Sequence, residues 1–322
     1  MSTARPFPVS ASLTAIAIGF RNTANMLIAD RVLPFTPVYS ERFKWNEFPL
    51  KEGFRTPDNR VGRTGEVPRV DFSAVERDSS VVDYGLEAAI PISDIEEARR
   101  MRELNQSIVD PEQQATEGLQ NYNYLRREMR CARLVHNPAT YPTTQRIVLS
   151  GTSQFNDYVN SNPIGVIKSA MEGTLVFRPN KLVMGFGVWS WLSAHPQIVN
   201  AVKGGLTTAG IVTKEQFMAL FEGLNEILVG EAYLDAAAWG QAPQLQRVWG
   251  NHIAAIHVNP QATPQTGVTF GFTAKYGSEI AGSREDPDVG LQGGRVVRVG
   301  NRVRELVVAS NAGFLIQNAV AG

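Results

Sequence analysis

The spacing of apolar and polar residues changes several times along the chain, and each change marks a predicted element. Prolines near both ends of the first 38 residues favour extended backbone. Between them, the stretch from Leu13 to Val32 has partial helical spacing of its apolar residues and predicts a short helix. We therefore expect an arm over residues 1–38, whose charged residues are Arg5, Arg21, Asp30 and Arg31.

The next segment, residues 39–85, alternates aromatic rings with charged side chains, as strands do. Phe43 and Trp45 are two residues apart, so a strand carries both rings on one face. Turn residues fill positions 51–69, and a second extended run follows from Val70 to Tyr84. A two-stranded excursion with so few apolar residues is marginal by itself, so we expect it to lie on another surface.

The clearest helical pattern begins at Ser93-Asp94, where short polar residues suit a helix start. It restarts at Asp110-Pro111, because proline interrupts the first helix and aspartate caps the next. We expect the second helix to run from about Glu112 to Leu134. Its apolar residues recur at close to 3.6-residue spacing: Leu119, Tyr122, Leu125, Met129 and Ala132.

Between residues 155 and 259 charged residues become sparse, and short helical and extended patterns alternate, which favours a compact α/β unit. The predicted helices are Pro163–Gly173, Val188–Ser193, Pro196–Lys203 and Lys214–Gly223. The predicted strands are Lys181–Met184, Glu226–Leu234 and Asn251–Val258.

The last segment, residues 260–322, has the alternation typical of β structure. Val268–Tyr276 predicts one strand. From Arg295 to Arg304, arginine and valine alternate on either side of Gly300-Asn301. This dipeptide is typical of a two-residue turn, so we predict a hairpin there.

Composition excludes several classes of protein. Lys and Arg number 31, as do Asp and Glu, so the formal net charge is zero. A protein that reads DNA usually has a basic face, whereas a protein that encloses DNA does not need one. Cys131 is the single cysteine, which excludes an intrachain disulfide and a cysteine-rich zinc site. We find no apolar run of membrane-span length and no signal-peptide pattern.

No pattern of residues indicates a catalytic, cofactor-binding or metal site. His252 and His257 are five apart, so on a strand they point to opposite faces and do not chelate together. Cys131 and His136 are also five apart, which on a helix separates them by about 140°. We interpret Cys131 as a buried, unreactive thiol. Residues 290–294 lack the Lys-Ser/Thr of a phosphate-binding loop and predict a turn.

Three stretches resemble the major capsid proteins of tailed phages, a fold named after phage Hong Kong ninety-seven and shared with encapsulins. Residues 147–164 are similar to the family's segment that leads into its axial domain. Residues 178–203 are closer still, from Arg178-Pro179-Asn180 to His195-Pro196. Residues 229–250 fit as well, with Val248-Trp249-Gly250 at their end. The first 90 residues match by architecture alone.

The resemblance implies an α+β capsid fold whose parts have different roles. Residues 1–38 would form the N-terminal arm, and 39–88 the extended β loop that reaches over a neighbouring subunit. Residues 89–155 and 260–322 would form the peripheral domain with its long spine helix. Residues 156–259 would form the axial α/β domain at the centre of pentamers and hexamers. A polar excursion that does not fold alone fits this scheme, because a neighbour supplies its partner surface.

The resemblance also implies a structural protein and not an enzyme. Such a subunit self-assembles into an icosahedral head that encloses phage double-stranded DNA, after synthesis in the host bacterial cytoplasm. The implied partners are copies of itself, a portal protein, a separate scaffolding protein, a decoration protein and non-specifically contacted DNA, with no cofactor and no membrane. Arg5 and Arg21 are the candidate DNA-facing residues of the arm. The candidate inter-subunit contacts are Phe43, Lys44, Trp45, Phe48, Lys51, Phe54, Arg295, Arg298, Arg302 and Arg304.

Two expectations concern the extended loop in particular. Some family members cross-link their subunits through a Lys–Asn isopeptide bond; the loop's lysines are Lys44 and Lys51, and with no recognisable acceptor we expect no cross-link. Because aromatic residues anchor interfaces, we expect Trp45→Ala to impair assembly more than subunit folding.

Three other functions stay open on the sequence. An encapsulin-type compartment shares the fold but encloses cargo enzymes. A cytoplasmic α/β enzyme would have a pocket of converging ionisable groups. A tail or baseplate protein would form tubes or rings and not closed shells.

Overall fold

The computed structural model describes residues 27–47, 56–63, 65–70, 75–105, 110–174, 177–237, 240–264 and 266–321. Its helices are α1 (Ala29–Val32), α2 (Ile92–Glu103), α3 (Pro111–Val135), α4 (Pro163–Glu172), α5 (Phe186–Ser193), α6 (Pro196–Val202) and α7 (Lys214–Met218). The first strands are β1 (Phe35–Val38), β2 (Arg42–Glu47), β3 (Val75–Ser80), β4 (Val82–Pro91) and β5 (Arg146–Val148). The middle strands are β6 (Lys181–Gly185), β7 (Glu226–Gly230), β8 (Tyr233–Asp235), β9 (Leu245–Arg247) and β10 (Ile253–Ile256). The last strands are β11 (Gly271–Tyr276), β12 (Ile280–Asp286), β13 (Gly294–Val307) and β14 (Gly313–Gln317).

The first sheet is built around β13, a strand of 14 residues. Strand β4 pairs with it antiparallel along one side. On the other side β12 and then β11 pair with it, and β1 joins β11 in parallel. Strands β2 and β3 pair with each other as a separate ribbon and form the base of the extended loop.

The predicted hairpin over residues 295–304 is wrong, because Gly300 and Asn301 lie in the middle of continuous β13. Gly300 is paired with Gly85 of β4. A Cβ atom at Gly300 would lie 2.7 Å from the carbonyl oxygen of Tyr84, so the glycine allows two strands to approach closely. Gly300 therefore allows close cross-strand packing and does not form a turn.

The second sheet has the order β5-β14-β10-β6-β7 and is covered on both faces. Alternate residues of its strands point to opposite sides, as strand geometry requires. Leu182, Val229 and Ile253 join a cluster with helices α4 to α7, whereas Val183 and Leu228 join a cluster with α1 and α3. The sheet therefore ties the α/β unit to the long helix.

Helix α3 spans 25 residues and confirms the predicted long helix. The Asp110 side chain accepts a hydrogen bond from the Glu112 amide at 3.0 Å, which confirms the predicted cap. The predicted apolar face is only partly right, since Tyr122 is 62% exposed. The buried face instead includes polar residues, namely Gln120, Asn123, Arg127 and Glu128.

Several boundaries of helices and strands differ from those predicted. Helix α2 begins at Ile92, whose amide donates to the Gly293 carbonyl at 3.0 Å, so Ser93-Asp94 is not its cap. The helix predicted from Lys214 ends at Met218 and not at Gly223. The strand predicted over 226–234 is two strands, β7 and β8. Of the predicted arm helix, the described part is the single turn α1.

Candidate functional site

The arm is fastened to the long helix by a buried carboxylate. Glu128 is 1% exposed, and its two carboxylate oxygens accept the backbone amides of Ile28 and Ala29, each at 2.8 Å. The indole Nε1 of Trp249 donates to the same carboxylate at 2.6 Å. Glu128 thus joins the arm, helix α3 and the segment before β10. We call these four residues the arm clasp.

Burial and hydrogen bonding change the pKa of the Glu128 carboxyl group in opposite directions. Loss of water raises the pKa of Glu128 above its ordinary value, although the three N–H donors and nearby Arg127 lower it. The donors are themselves inaccessible to water, since Ile28, Ala29 and Trp249 are at most 3% exposed. Removal of the carboxylate therefore leaves buried N–H groups without their acceptor.

Arg127 makes a second set of contacts to the arm. Its guanidinium pairs with Asp30, donates to the Leu33 carbonyl at 3.1 Å and donates to the Thr273 hydroxyl at 3.2 Å. It also lies 3.8 Å from the ring centre of Phe35. Neighbouring residues of α3 thus fix the direction in which the arm enters β1. This function was not predicted, because 94–100 residues of sequence separate the partners.

The base of the extended loop packs on the subunit itself. Phe43 is 6% exposed in a cluster with Val38, Phe272 and Ala274, and Trp45 packs against that cluster. The prediction of Phe43 as an inter-subunit contact is therefore corrected: its ring belongs to the subunit's own core. Lys44 pairs with Glu76 across the β2–β3 ribbon, and this carboxylate raises the pKa of the lysine.

Farther out, the described residues of the loop are exposed. Every described residue in 56–63 and 65–70 is exposed. Three of them are valines: Val61 is 43% exposed, Val67 72% and Val70 46%. A segment with this much solvent contact gains little stability from its own chain.

The arginines of β13 pair with acids of the same subunit. Arg295 pairs with Glu112 of α3, and Arg298 pairs with Glu87 of β4. Arg302 contacts Glu41 at 3.0 Å and Asp83 at 3.5 Å, so it joins the two ends of the extended loop. Arg304 is exposed. Of the other candidates, Phe48, Lys51, Phe54, Arg5 and Arg21 lie outside the described residues.

Side chains with potential chemistry are arranged for packing. Cys131 is buried, and burial raises the pKa of its thiol to about 12, which keeps it protonated. His136 packs edge-on against Trp249 and His252. The described residues contain no group of three or more His, Cys, Asp or Glu placed to hold a metal ion. An open cleft of about 390 Å³ is lined by Ile164, Lys168, Met171, Glu172, Arg178, Leu220, Phe221 and Glu222, without a serine, cysteine or histidine.

One serine–histidine pair has the geometry of a nucleophile and base but the wrong hydrogen bonds. The Ser161 hydroxyl lies 2.9 Å from His195 Nε2. His195 Nδ1 accepts the Gln197 amide at 3.2 Å, so the ring proton of the neutral tautomer is on Nε2. The Ser161 hydroxyl donates to the Asp157 carbonyl at 2.6 Å. The histidine therefore donates to the serine and is not positioned to take its proton.

No protein-family model matches the chain. A protein named major capsid protein from Pseudomonas phage JBD67 is 42% identical over 316 residues, which cover 98% of each chain. The chain belongs to the phage major capsid proteins. A second major capsid protein, from Burkholderia phage BcepMu, is 31% identical over 94% of each chain.

Solved structures agree with the capsid fold. A phage-related protein from Bordetella bronchiseptica superposes with a TM-score of 0.73 at 24% identity, over 98% of this capsid protein and 99% of that chain. The capsid of cyanophage P-SCSP1u gives a TM-score of 0.56 at 12% identity, over 92% and 89% of the two chains. At these identities the likeness shows the fold, and it confirms the α+β capsid fold expected from the sequence.

The family places this capsid protein in the virion capsid. In the described parts of the chain, no helix combines the length and the apolar character needed to cross a membrane.

Proposed function

We propose that copies of this capsid protein assemble into pentamers and hexamers, which close into an icosahedral head around phage double-stranded DNA. The observation that supports this best is the extended loop, whose described residues beyond the β2–β3 ribbon are all exposed. The loop between the two strands covers residues 48–74, which as a hairpin is long enough to reach about 40 Å. Exposed valines on a loop of this length fit burial against a neighbouring copy.

The proposal also covers the internal divisions and the partners. The arm, extended loop, peripheral domain and axial domain keep the boundaries stated above. The arm's Arg5 and Arg21 contact packaged DNA non-specifically, which predicts binding that weakens with salt. A portal protein, a scaffolding protein and a decoration protein are the further proposed partners.

The proposed function of the loop is tested by removing its apolar surface without changing the subunit's core. The variant Val61→Ser, Val67→Ser, Val70→Ser should fold like the wild type, because these residues are exposed, yet fail to form shells. Replacement of the same three valines by isoleucine is the matched control and should assemble. Electron microscopy of particles, with circular dichroism of free subunits, measures the two properties separately. Shells of normal yield from the serine variant would contradict the function given to the loop.

The contents of the shells distinguish a phage head from an encapsulin-type compartment. Shells purified from infected cells should contain double-stranded DNA if the capsid proposal is right. Shells that hold a cargo enzyme and no DNA would support the compartment.

A further inference from the structure

The C-terminal end of helix α2 is exposed to solvent in the described part of the chain. None of its residues is buried, and from Arg99 to Asn105 every residue is exposed. Residues 98–105, here called the basic helix end, carry three arginines and one glutamate. Among them, the apolar side chains of Met101 and Leu104 are 37% and 65% exposed.

The turn between β12 and β13 has the opposite charge. Residues 284–293, here called the hairpin tip, carry three acids and one arginine. Leu291 at its apex is 100% exposed. The backbone around it is defined by Gly290 and Gly293, both with positive φ, and by the Asp288 amide that donates to the Asp286 side chain at 3.1 Å. The turn therefore holds an aliphatic side chain out in water.

The two features lie at opposite ends of helix α2. The Ile92 amide bonded to the Gly293 carbonyl joins the first residue of α2 to the hairpin tip. Helix α2 has 12 residues, which gives a length of about 18 Å. Each subunit thus has a net charge of −2 in the hairpin tip, at the N-terminal end of α2, and of +2 at the C-terminal end of α2. A contact that joins different patches of identical subunits closes into a ring when it repeats around a rotation axis.

We propose that the hairpin tip of one subunit docks on the basic helix end of a neighbouring copy of this chain. Leu291 packs against Met101 and Leu104, and the acids of the tip face Arg99 and Arg100. The inference rests on the proposed function, since it names one contact between the assembled subunits.

The chemistry of the basic helix end favours a protein partner over DNA. Packaged DNA is the other polyanion in a capsid, but a phosphate backbone offers no apolar surface to Met101 and Leu104. The existing ion pairs there, Arg99–Glu103 at 3.1 Å and Arg102–Asp110 at 3.8 Å, are exposed and stabilise the subunit little. Their side chains are therefore free to rearrange against a neighbour.

The test reverses charge on each side separately and then on both sides together. One variant carries Arg99→Glu with Arg100→Glu, and a second carries Asp288→Lys with Gln292→Lys. A third carries all four substitutions. Thermal unfolding of free subunits verifies folding, and sedimentation with electron microscopy measures the yield of particles.

The docking contact predicts that each one-sided variant folds normally but loses about tenfold or more of the particle yield, because like charges then face each other. The four-substitution variant should recover most of that yield, since opposite charges face each other again. One-sided variants that assemble like the wild type would overturn the contact. So would a four-substitution variant that fails like the one-sided ones. So would failure of only the variants that carry Arg99→Glu and Arg100→Glu, which is the result expected if the basic helix end binds DNA. Failure of the wild-type chain to assemble would instead count against the proposed function.

Discussion

Removal of the Glu128 carboxylate is the most informative perturbation of the subunit, because it releases the arm without touching an exposed surface. In Glu128→Ala the amides of Ile28 and Ala29 and the indole N–H of Trp249 lose their acceptor. None of these groups reaches water, so each remains unsatisfied in the folded state. Breaking a buried charged network by removal of one partner typically costs about 3–5 kcal/mol, and we expect a loss of that size in the free energy of unfolding.

Glu128→Gln separates charge from hydrogen bonding. One carboxylate oxygen accepts both Ile28 and Trp249, and the other accepts Ala29. A glutamine carbonyl at the first position keeps two of the three bonds and turns its NH₂ toward the Ala29 amide. The expected loss is about 1–3 kcal/mol, the usual cost of one unsatisfied buried group.

Urea unfolding of free subunits, followed by tryptophan fluorescence and far-ultraviolet circular dichroism, gives these free energies. Glu117→Ala on the same helix is the matched control, because its exposed bond to Gln113 contributes only about 0.5 kcal/mol. Trypsin digestion after Arg31 should be faster in Glu128→Ala than in the control. The reasoning is refuted if Glu128→Ala stays within about 1 kcal/mol of the wild type, or if glutamine costs as much as alanine.

The remaining predictions concern other buried positions. The Cys131 thiol, with its pKa of about 12, should react with a thiol reagent at pH 8 only in denaturant; rapid labelling of the folded subunit would contradict its burial. Gly230→Ala should prevent normal folding, because its Cβ overlaps the Trp249 indole. Gly118→Ala, in open space on α3, should instead stabilise the subunit by about 0.5–1 kcal/mol. Equal melting temperatures of the two variants would be the contrary result. Burial and nearby His252 lower the pKa of His136 from 6.5 to about 3, so the unfolded chain binds a proton that the folded chain does not. Stability should therefore fall as pH drops from 6.5 toward 3, and His136→Gln should flatten this dependence in urea titrations; an unchanged slope would count against it.

Local signals in the sequence predicted the elements that depend on local chemistry. Asp110-Pro111 predicted the start of α3, and α4 to α6 were predicted with boundaries within two residues. The prediction failed where distant strands decide the backbone. Gly300 has the composition of a turn, but Gly85, more than 200 residues away, determines that it lies in a strand. Local propensity carries no information about such a partner.

The candidate site was predictable to a smaller degree. The polar extended loop could be recognised from residues 39–85 because it lacks the apolar residues of a core. Phe43 was placed on a neighbour because the strands that cover it, β1 and β11, lie far away in sequence. The arm clasp could not be predicted, since a glutamate and an arginine near the end of a helix have the pattern of a solvated face. Only the tertiary structure shows that Arg127 and Glu128 are buried.

We propose that this capsid protein builds closed shells from copies of itself. Negative-stain electron microscopy with light scattering, on the chain expressed alone and together with the proposed scaffolding protein, tests this assembly. We predict closed shells, or discrete pentamers and hexamers. A chain that stays monomeric or dimeric under every condition, with the scaffolding protein present, would contradict the account.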